Sequence, residues 1–298
     1  MNSVVITGAN SFIGRAVCRE MVSRGVTVYA VVRRYSDQIP ERCNQILCDM
    51  EDYSDLDHRL PSGCDVGILL AWAGTRGASR NDAKLQKLNY LHSLQCVDSL
   101  LRTGCKTIVL SGSQAEYGPQ LSDVKTVETF PLVPNTAYGY EKKHLYEDAS
   151  KICAAYKVNL LEVRYFSIFG VGDYAGTMVM SSLDKMLKNE PCKFTESIQM
   201  WDFLYVTDAA AMVADLVALQ APSGAYNIGS GISYPLKRFI LQMKQITDSQ
   251  SELHFGEIAY PDGMVLNVQP DMTKTFSVIG ERKLISFEEG ILNILQEL

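Results

Sequence analysis

No stretch of this 298-residue chain approaches the roughly 18 consecutive apolar residues that a membrane span requires. Positive charge is in deficit: 28 Lys and Arg against 34 Asp and Glu leave a net charge of −6, which argues against a nucleic-acid-binding face. The four histidines, His58, His92, His144 and His254, lie far apart without ligand spacing, so no metal site is expected. The eight cysteines have no repeated pair spacing and read as reduced, packed thiols. The chain enters an apolar strand by Val4 with no leader ahead of it, so a cytoplasmic protein is expected. With 21 glycines and 10 prolines, collagen-like and low-complexity readings fall away. What remains plentiful is apolar material, 47% of residues, enough for a large core.

The first half alternates apolar strands with amphipathic helices. Strands are expected at 3–7, 26–32, 45–48, 66–71, 107–111 and 159–165, and helices at 12–24, 82–102 and 138–156. This alternation predicts an α/β fold, a Rossmann-type doubly wound parallel sheet covered on both faces. Beyond residue 166 the pattern loosens into helices at 178–188 and 207–220, strands at 193–194 and 226–228, and two further helical patterns over 233–298. A dinucleotide-binding domain over 1–165 is therefore expected. A smaller, mainly substrate-binding α/β domain follows over 166–298, with some segments returning to the main sheet.

Between the first strand and first helix stands Thr7-Gly8-Ala9-Asn10-Ser11-Phe12-Ile13-Gly14. A glycine here lets the backbone approach a pyrophosphate, and the helix N-terminus supplies free N–H groups. At the end of the second strand, where an acidic residue would bond a ribose 2′-hydroxyl, the chain reads Arg33-Arg34. Guanidinium groups accommodate a 2′-phosphate, so NADP(H) is expected over NAD(H), the alternative being a solvated basic pair. Tyr138 and Lys142 lie at i and i+4 on one helix face, and a nearby cation can lower a phenol's pKa toward useful proton transfer. Ser111 and Ser113 close a strand whose carboxyl end opens on the ligand crevice of such sheets.

These segments resemble the extended short-chain dehydrogenases/reductases, the NAD-dependent epimerases and dehydratases acting mainly on nucleotide sugars. The glycine turn is similar to the family's TGxxGFIG, with Ser11 replacing the middle glycine. Ser111–Gly118 resembles SSxxVYG, Tyr138 to Lys142 fill YxxxK, and Arg164–Gly170 resembles RxFNVYG with Ser167 in place of asparagine. Asp202–Asp208 resembles DFxYVxD, Tyr226–Gly229 matches YNIG, and Pro270–Lys274 resembles the closing D-x-x-K segment.

The resemblance makes Tyr138 the general acid or base, with Ser113 orienting the reacting oxygen. Lys142 would hold the nicotinamide ribose and lower the Tyr138 pKa. It implies cofactor contacts from Gly8, Asn10, Ser11, Phe12, Ile13, Gly14, Arg33 and Arg34, and from Asp49 and Met50 at the adenine. Leu70, Ala71, Ala73, Asn89, Ser111, Tyr165 and Ser167 complete the cofactor set, with Trp72 where a small residue is usual. Substrate contacts fall on Ser113, Gln114 and Trp201. The helices at 82–102 and 138–156 are where family members commonly pair, so a homodimer is expected.

Fold alone does not choose the reaction. Gln114 and Ala115 stand where family dehydratases carry Asp-Glu, which argues against elimination of water, and Ala115 replaces the cysteine of enzymes that epimerise at further carbons. Reduction of a 4-keto-6-deoxy sugar nucleotide and C4 epimerisation remain; Arg33-Arg34 favours the NADPH-dependent reduction. Trp201 occupies the position of an arginine that commonly grips the substrate diphosphate. Arg238 and Arg282 are the candidates to replace that charge, and a non-nucleotide carbonyl substrate stays open. A non-catalytic NADP-binding sensor or scaffold is the rival of another class, although Ser113, Tyr138 and Lys142 are all intact. A Ser-His-Asp hydrolase lacks its nucleophile elbow.

Overall fold

The structure, a computed structural model, describes residues 1–121, 123–260 and 267–297. The first half contains β1 (Ser3–Thr7), α1 (Phe12–Ser23), β2 (Thr27–Val32), β3 (Asn44–Leu47), β4 (Val66–Leu69), α2 (Ala83–Thr103), β5 (Thr107–Ser113), α3 (Ala137–Tyr156) and β6 (Asn159–Tyr165). There follow β7 (Ser167–Phe169), α4 (Met178–Leu187), β8 (Cys192–Phe194), β9 (Met200–Tyr205), α5 (Val206–Ala218), β10 (Gly224–Ile228) and β11 (Ser233–Pro235). The chain closes with α6 (Leu236–Ile246), β12 (Leu253–Phe255), β13 (Asn267–Val268), α7 (Thr273–Ile279) and α8 (Phe287–Gln296).

Seven strands form one parallel sheet in the order β10-β6-β5-β4-β1-β2-β3. Val4, Val5 and Ile6 are wholly buried, as are Ile108 and Val109, because helices cover both faces and leave no side to alternate toward water. One apolar layer joins α1 and α5 to the sheet and continues into α6 and α8; the other lies beneath α2 and α3. The strand order reverses between β1 and β4, the switch point at which ligands bind in such sheets.

The strand at 226–228 extends to Gly224–Ile228 and joins the main sheet beside β6. Three differences from the sequence reading stand out. A ten-residue 3-10 helical segment, Met50–Arg59, follows β3, started by Asp49. The region after 233 holds three described helices rather than two. Short strands β7, β9, β11 and β13 build a second sheet. No helix of the described residues is long and apolar enough to cross a membrane.

A buried ionic cluster ties the carboxyl ends of β5 and β6 together. Arg164, 2% exposed, lies 3.2 Å from Glu116 and 2.7 Å from Glu162, both fully enclosed. Its Nη1 donates to the Tyr117 hydroxyl and to the Glu128 carbonyl, and Tyr117 donates to Asn227 of β10. Burial and the facing Glu116 hold the Glu162 carboxyl far above its ordinary range. Removing the guanidinium leaves the Glu116 and Glu162 carboxyl groups in the interior with no cation between them. Arg164→Ala is expected to lower stability by about 3–5 kcal/mol in urea unfolding, with Glu162→Gln much milder. A loss below about 1 kcal/mol for Arg164→Ala contradicts this account.

Candidate active site

The glycine turn places β1 hard against the end of β4. Gly8 has φ +64°, and a Cβ there would sit 2.7 Å from the Ala71 nitrogen; a Cβ on Gly14 would sit 2.2 Å from the Gly8 carbonyl oxygen. Ser11 occupies an extended conformation, φ −75°, and its hydroxyl accepts the Gly14 N–H at 3.1 Å. Glycine is not required there, and the serine caps α1. The N–H groups of Phe12 and Ile13, in the first turn, have no partner within the helix by position and open on the cleft. This cradle fits a pyrophosphate.

An open cavity of about 630 Å³ lies at the ends of β2 and β3, lined by Asn10, Arg34, Ser36 and Gln45 among others. Its wall is built by side-chain amides. Gln45 accepts the Ser36 N–H and donates to the Ser36 carbonyl, and the Ser36 hydroxyl donates to Asn10. Arg33 and Arg34 are exposed, and neither makes an ion pair or hydrogen bond among the described residues. Asp49, also exposed, accepts the Met50 N–H at 2.6 Å, with Met50 half-buried beside it.

Ser113, Tyr138 and Lys142 converge at the end of β5. The Ser113 hydroxyl accepts the Ala115 N–H at 3.2 Å and hydrogen-bonds the Tyr138 side chain. Glu116 turns inward: it accepts the Ser113 N–H at 2.6 Å with one oxygen and meets Arg164 with the other. Gln114 is half-buried in the same short turn. Lys142 donates to the Ser111 carbonyl at 2.5 Å and lies 3.8 Å from the Trp72 ring centroid. Tyr165 stands opposite Ser113 in register, its hydroxyl buried without a partner among the described residues, and half-buried Ser167 follows.

Trp72, beside Leu70, Ala71 and Ala73, presents its edge to Tyr138 at 6.1 Å between centroids. Its indole N–H donates to Gln86, which in turn donates to the carbonyls of Gly74 and Ser79. Asn89 brackets Ala73, accepting its N–H and donating to its carbonyl. Asn89 thus reaches the cleft through Ala73. Gln86, one turn earlier on α2, shares the task and was not singled out in the sequence.

Sequence reading also missed Arg80, whose guanidinium sits 4.7 Å from the Tyr138 ring centroid. Across the cleft, Arg15 of α1 donates to the Gly172 carbonyl and Arg76 pairs with Asp173, so residues 170–176 are fastened to both rims.

Burial pushes the Tyr138 phenol up, and so does Glu116; Ser113 and Arg80 pull it down. Lys142, expected to perform that task, holds its ammonium 5.8 Å from the phenol ring centroid while donating to the Ser111 carbonyl. Burial brings Lys142 itself down to about 7, against the opposing pull of Glu116 and Glu162.

On the far side, Trp201 packs against Tyr117, Phe166 and Val268, and pairs in register with Tyr234 of β11. Arg238 covers Tyr234 at 3.6 Å. Arg282 is ion-paired to Asp215 of α5, which also holds Arg24 of α1; the suggestion that Arg282 supplies substrate-side charge is therefore withdrawn.

The depressed Lys142 pKa has a stability consequence. Below about pH 7 the ammonium is charged in folded and unfolded chains alike, and its desolvation cost is felt in full. As pH rises toward the ordinary lysine range the folded chain sheds that proton first, and the cost fades. Lys142→Met is expected to stabilise the cofactor-free protein by on the order of 2–3 kcal/mol at pH 6–7. Urea unfolding at pH 6 and pH 10 checks it: the gain must shrink at the higher pH.

Comparison with known proteins agrees with this geometry. A family model described as the NAD dependent epimerase/dehydratase family matches residues 4–229. CDP-abequose synthase of Salmonella muenchen is 21% identical over 98% of this chain and 96% of its own length. The dTDP-4-dehydro-6-deoxyglucose reductase of Escherichia coli is 23% identical over 100% and 98%. Among solved structures, UDP-N-acetylglucosamine 4-epimerase of Methanobrevibacter ruminantium, in complex with UDP-N-acetylmuramic acid, superposes with a TM-score of 0.88 at 19% identity, covering 100% of this chain and 99% of that one. With the model spanning most of the sheet and both halves of the cleft, the chain belongs to the NAD-dependent epimerase/dehydratase family.

Proposed function

We propose that the protein is an NADPH-dependent ketoreductase acting on a 4-keto-6-deoxy sugar carried on a nucleoside diphosphate. The observation that carries the reading is the exposed Arg33–Arg34 pair, which makes no ion pair among the described residues, with Arg34 lining the cavity beyond β2 alongside Asp37. Two unneutralised guanidinium groups favour a ribose 2′-phosphate. A reductase that takes up fresh reduced cofactor in each cycle fits that preference better than an epimerase that recycles one bound molecule. Gln114 and Ala115 offer no carboxylate for elimination, and the dehydro-sugar reductase among the relatives supports the same class.

A bound nicotinamide cofactor supplies the hydride. The turn of Gly8, Asn10, Ser11 and Gly14, with the N–H groups of Phe12 and Ile13, would hold its pyrophosphate, and Asp49 and Met50 its adenine. Leu70, Ala71, Ala73, Ser111, Tyr165, Ser167 and Lys142 would line the remainder. Tyr138 gives its hydroxyl proton to the substrate carbonyl oxygen, which becomes an alcohol; the phenolate regains a proton from solvent. Ser113, its oxygen oriented by the Ala115 N–H, donates a hydrogen bond to the same carbonyl oxygen and keeps its proton. Gln114 and Trp201 contact the substrate, and Arg238 supplies positive charge that an indole cannot. Exposed Leu88 and Leu91 of α2 and Tyr140 of α3 support the expected homodimer.

Turnover of dTDP- and CDP-linked 4-keto-6-deoxyglucose, followed by NADPH oxidation, tests the reading. Tyr138→Phe is expected to lose at least about 100-fold in kcat with NADPH binding retained. Arg33→Ala with Arg34→Ala is expected to raise KM for NADPH about tenfold or more while leaving NADH unaffected. Equal use of NADH by the parent protein, or tightly retained NAD without net NADPH consumption, overturns reduction in favour of C4 epimerisation.

A further inference from the structure

A second cation, from outside the catalytic helix, faces the reacting tyrosine. Arg80 closes a short 3-10 turn, Gly77–Asn81, after β4, and its guanidinium stacks 4.7 Å from the Tyr138 ring centroid. It makes no ion pair among the described residues. The nearest acid in sequence, Asp82, is engaged in capping α2 through the N–H groups of Lys84 and Leu85. Nor is the turn loosely held: the fully buried Gln86 binds the Ser79 carbonyl at 2.8 Å and the Gly74 carbonyl at 3.0 Å. The guanidinium is thus set in place by a buried amide.

We infer that Arg80 is a positioning residue that holds the Tyr138 ring and stabilises the negative charge the phenol acquires when it gives up its proton. The inference rests on the reading of Tyr138 as proton donor. Tyr138 is faced by Ser113 from β5, by Lys142 from its own helix, by the edge of Trp72 from the post-β4 segment, and by Glu116, whose charge opposes a phenolate. Of the cations, Lys142 is tied to Ser111 and lies over Trp72, and its burial makes it only partly charged near neutral pH. An arginine cannot lose its charge in that range. Its attraction to a neutral ring is modest and grows to that of an ion pair once the ring is a phenolate. Arg80 therefore acts most strongly on the deprotonated state, which makes Tyr138 a better acid.

The test compares the parent protein, Arg80→Gln and Arg80→Lys, each with NADP⁺ bound. Phenolate absorbance is titrated against the same protein carrying Tyr138→Phe, so that one tyrosine is read among the rest. Arg80→Gln is expected to give about tenfold less Tyr138 phenolate at any pH below the midpoint, with Arg80→Lys restoring part of it. In the reductase assay the basic limb of the pH profile should move upward, and kcat at neutral pH fall about tenfold with KM little changed. An unmoved phenol titration in Arg80→Gln overturns the inference. So does a tenfold or greater rise in KM with an unmoved pH limb, which would make Arg80 a clamp for an anionic substrate group. The titration needs no turnover: if it moves while no ketosugar is reduced, the assignment of Arg80 stands and only the proposed reaction fails.

Discussion

The site hangs on one guanidinium. Arg164 is enclosed between Glu116 and Glu162, and the interior offers no water to replace either contact. Such a cluster is a poor source of net stability, since the desolvation of its buried charges consumes most of what their attraction returns. Its value is geometric. Glu116 has one oxygen on Arg164 and the other on the Ser113 N–H, so the backbone of Ser113 is positioned from behind by the same ion that joins β5 to β6. Through Tyr117 and Asn227 the arrangement extends to β10. A strand that arrives late in the chain is thereby tied to the end of β5 where Ser113, Tyr138 and Lys142 converge.

The chain is acidic, yet three of its arginines stand at the cleft without an ion pair among the described residues. Arg24, Arg102 and Arg282 are matched with carboxylates on the outer surface, and Arg164 is matched inside. Arg33, Arg34 and Arg80 have no such match among the described residues. A protein with net charge −6 that takes anionic ligands needs this segregation. Two further guanidinium groups lie against aromatic rings, Arg80 against Tyr138 and Arg238 over Tyr234 beside Trp201.

Much of this was readable in advance because it is local. Alternating apolar strands and helices predicted the sheet, since a doubly covered strand must be apolar on both faces. The glycine turn and the i, i+4 Tyr138–Lys142 pair were visible because a few adjacent residues define them. What escaped was non-local or short. Arg80 and Tyr138 are far apart in sequence, and no spacing rule links them. Strands of two or three residues such as β7, β11 and β13 are too brief for periodicity to register. Met50–Arg59 is mostly polar, so nothing in its pattern announced a helical segment. Spacing on a helix fixes which face Tyr138 and Lys142 share, but it could not foretell that the ammonium also meets the Ser111 carbonyl and the Trp72 ring.

The segment 170–176 crosses the switch point of the sheet like a strap. One fastening is the Arg15 contact to the Gly172 carbonyl, the other the Arg76–Asp173 pair, and they rise from opposite sides of the β1–β4 boundary. The strap rests on polar contacts whose arginines reach the surface, while the sheet rests on buried apolar packing. Dissolved salt screens the exposed side of the Arg76–Asp173 pair and leaves the apolar packing almost untouched, so ionic strength acts on the two unevenly.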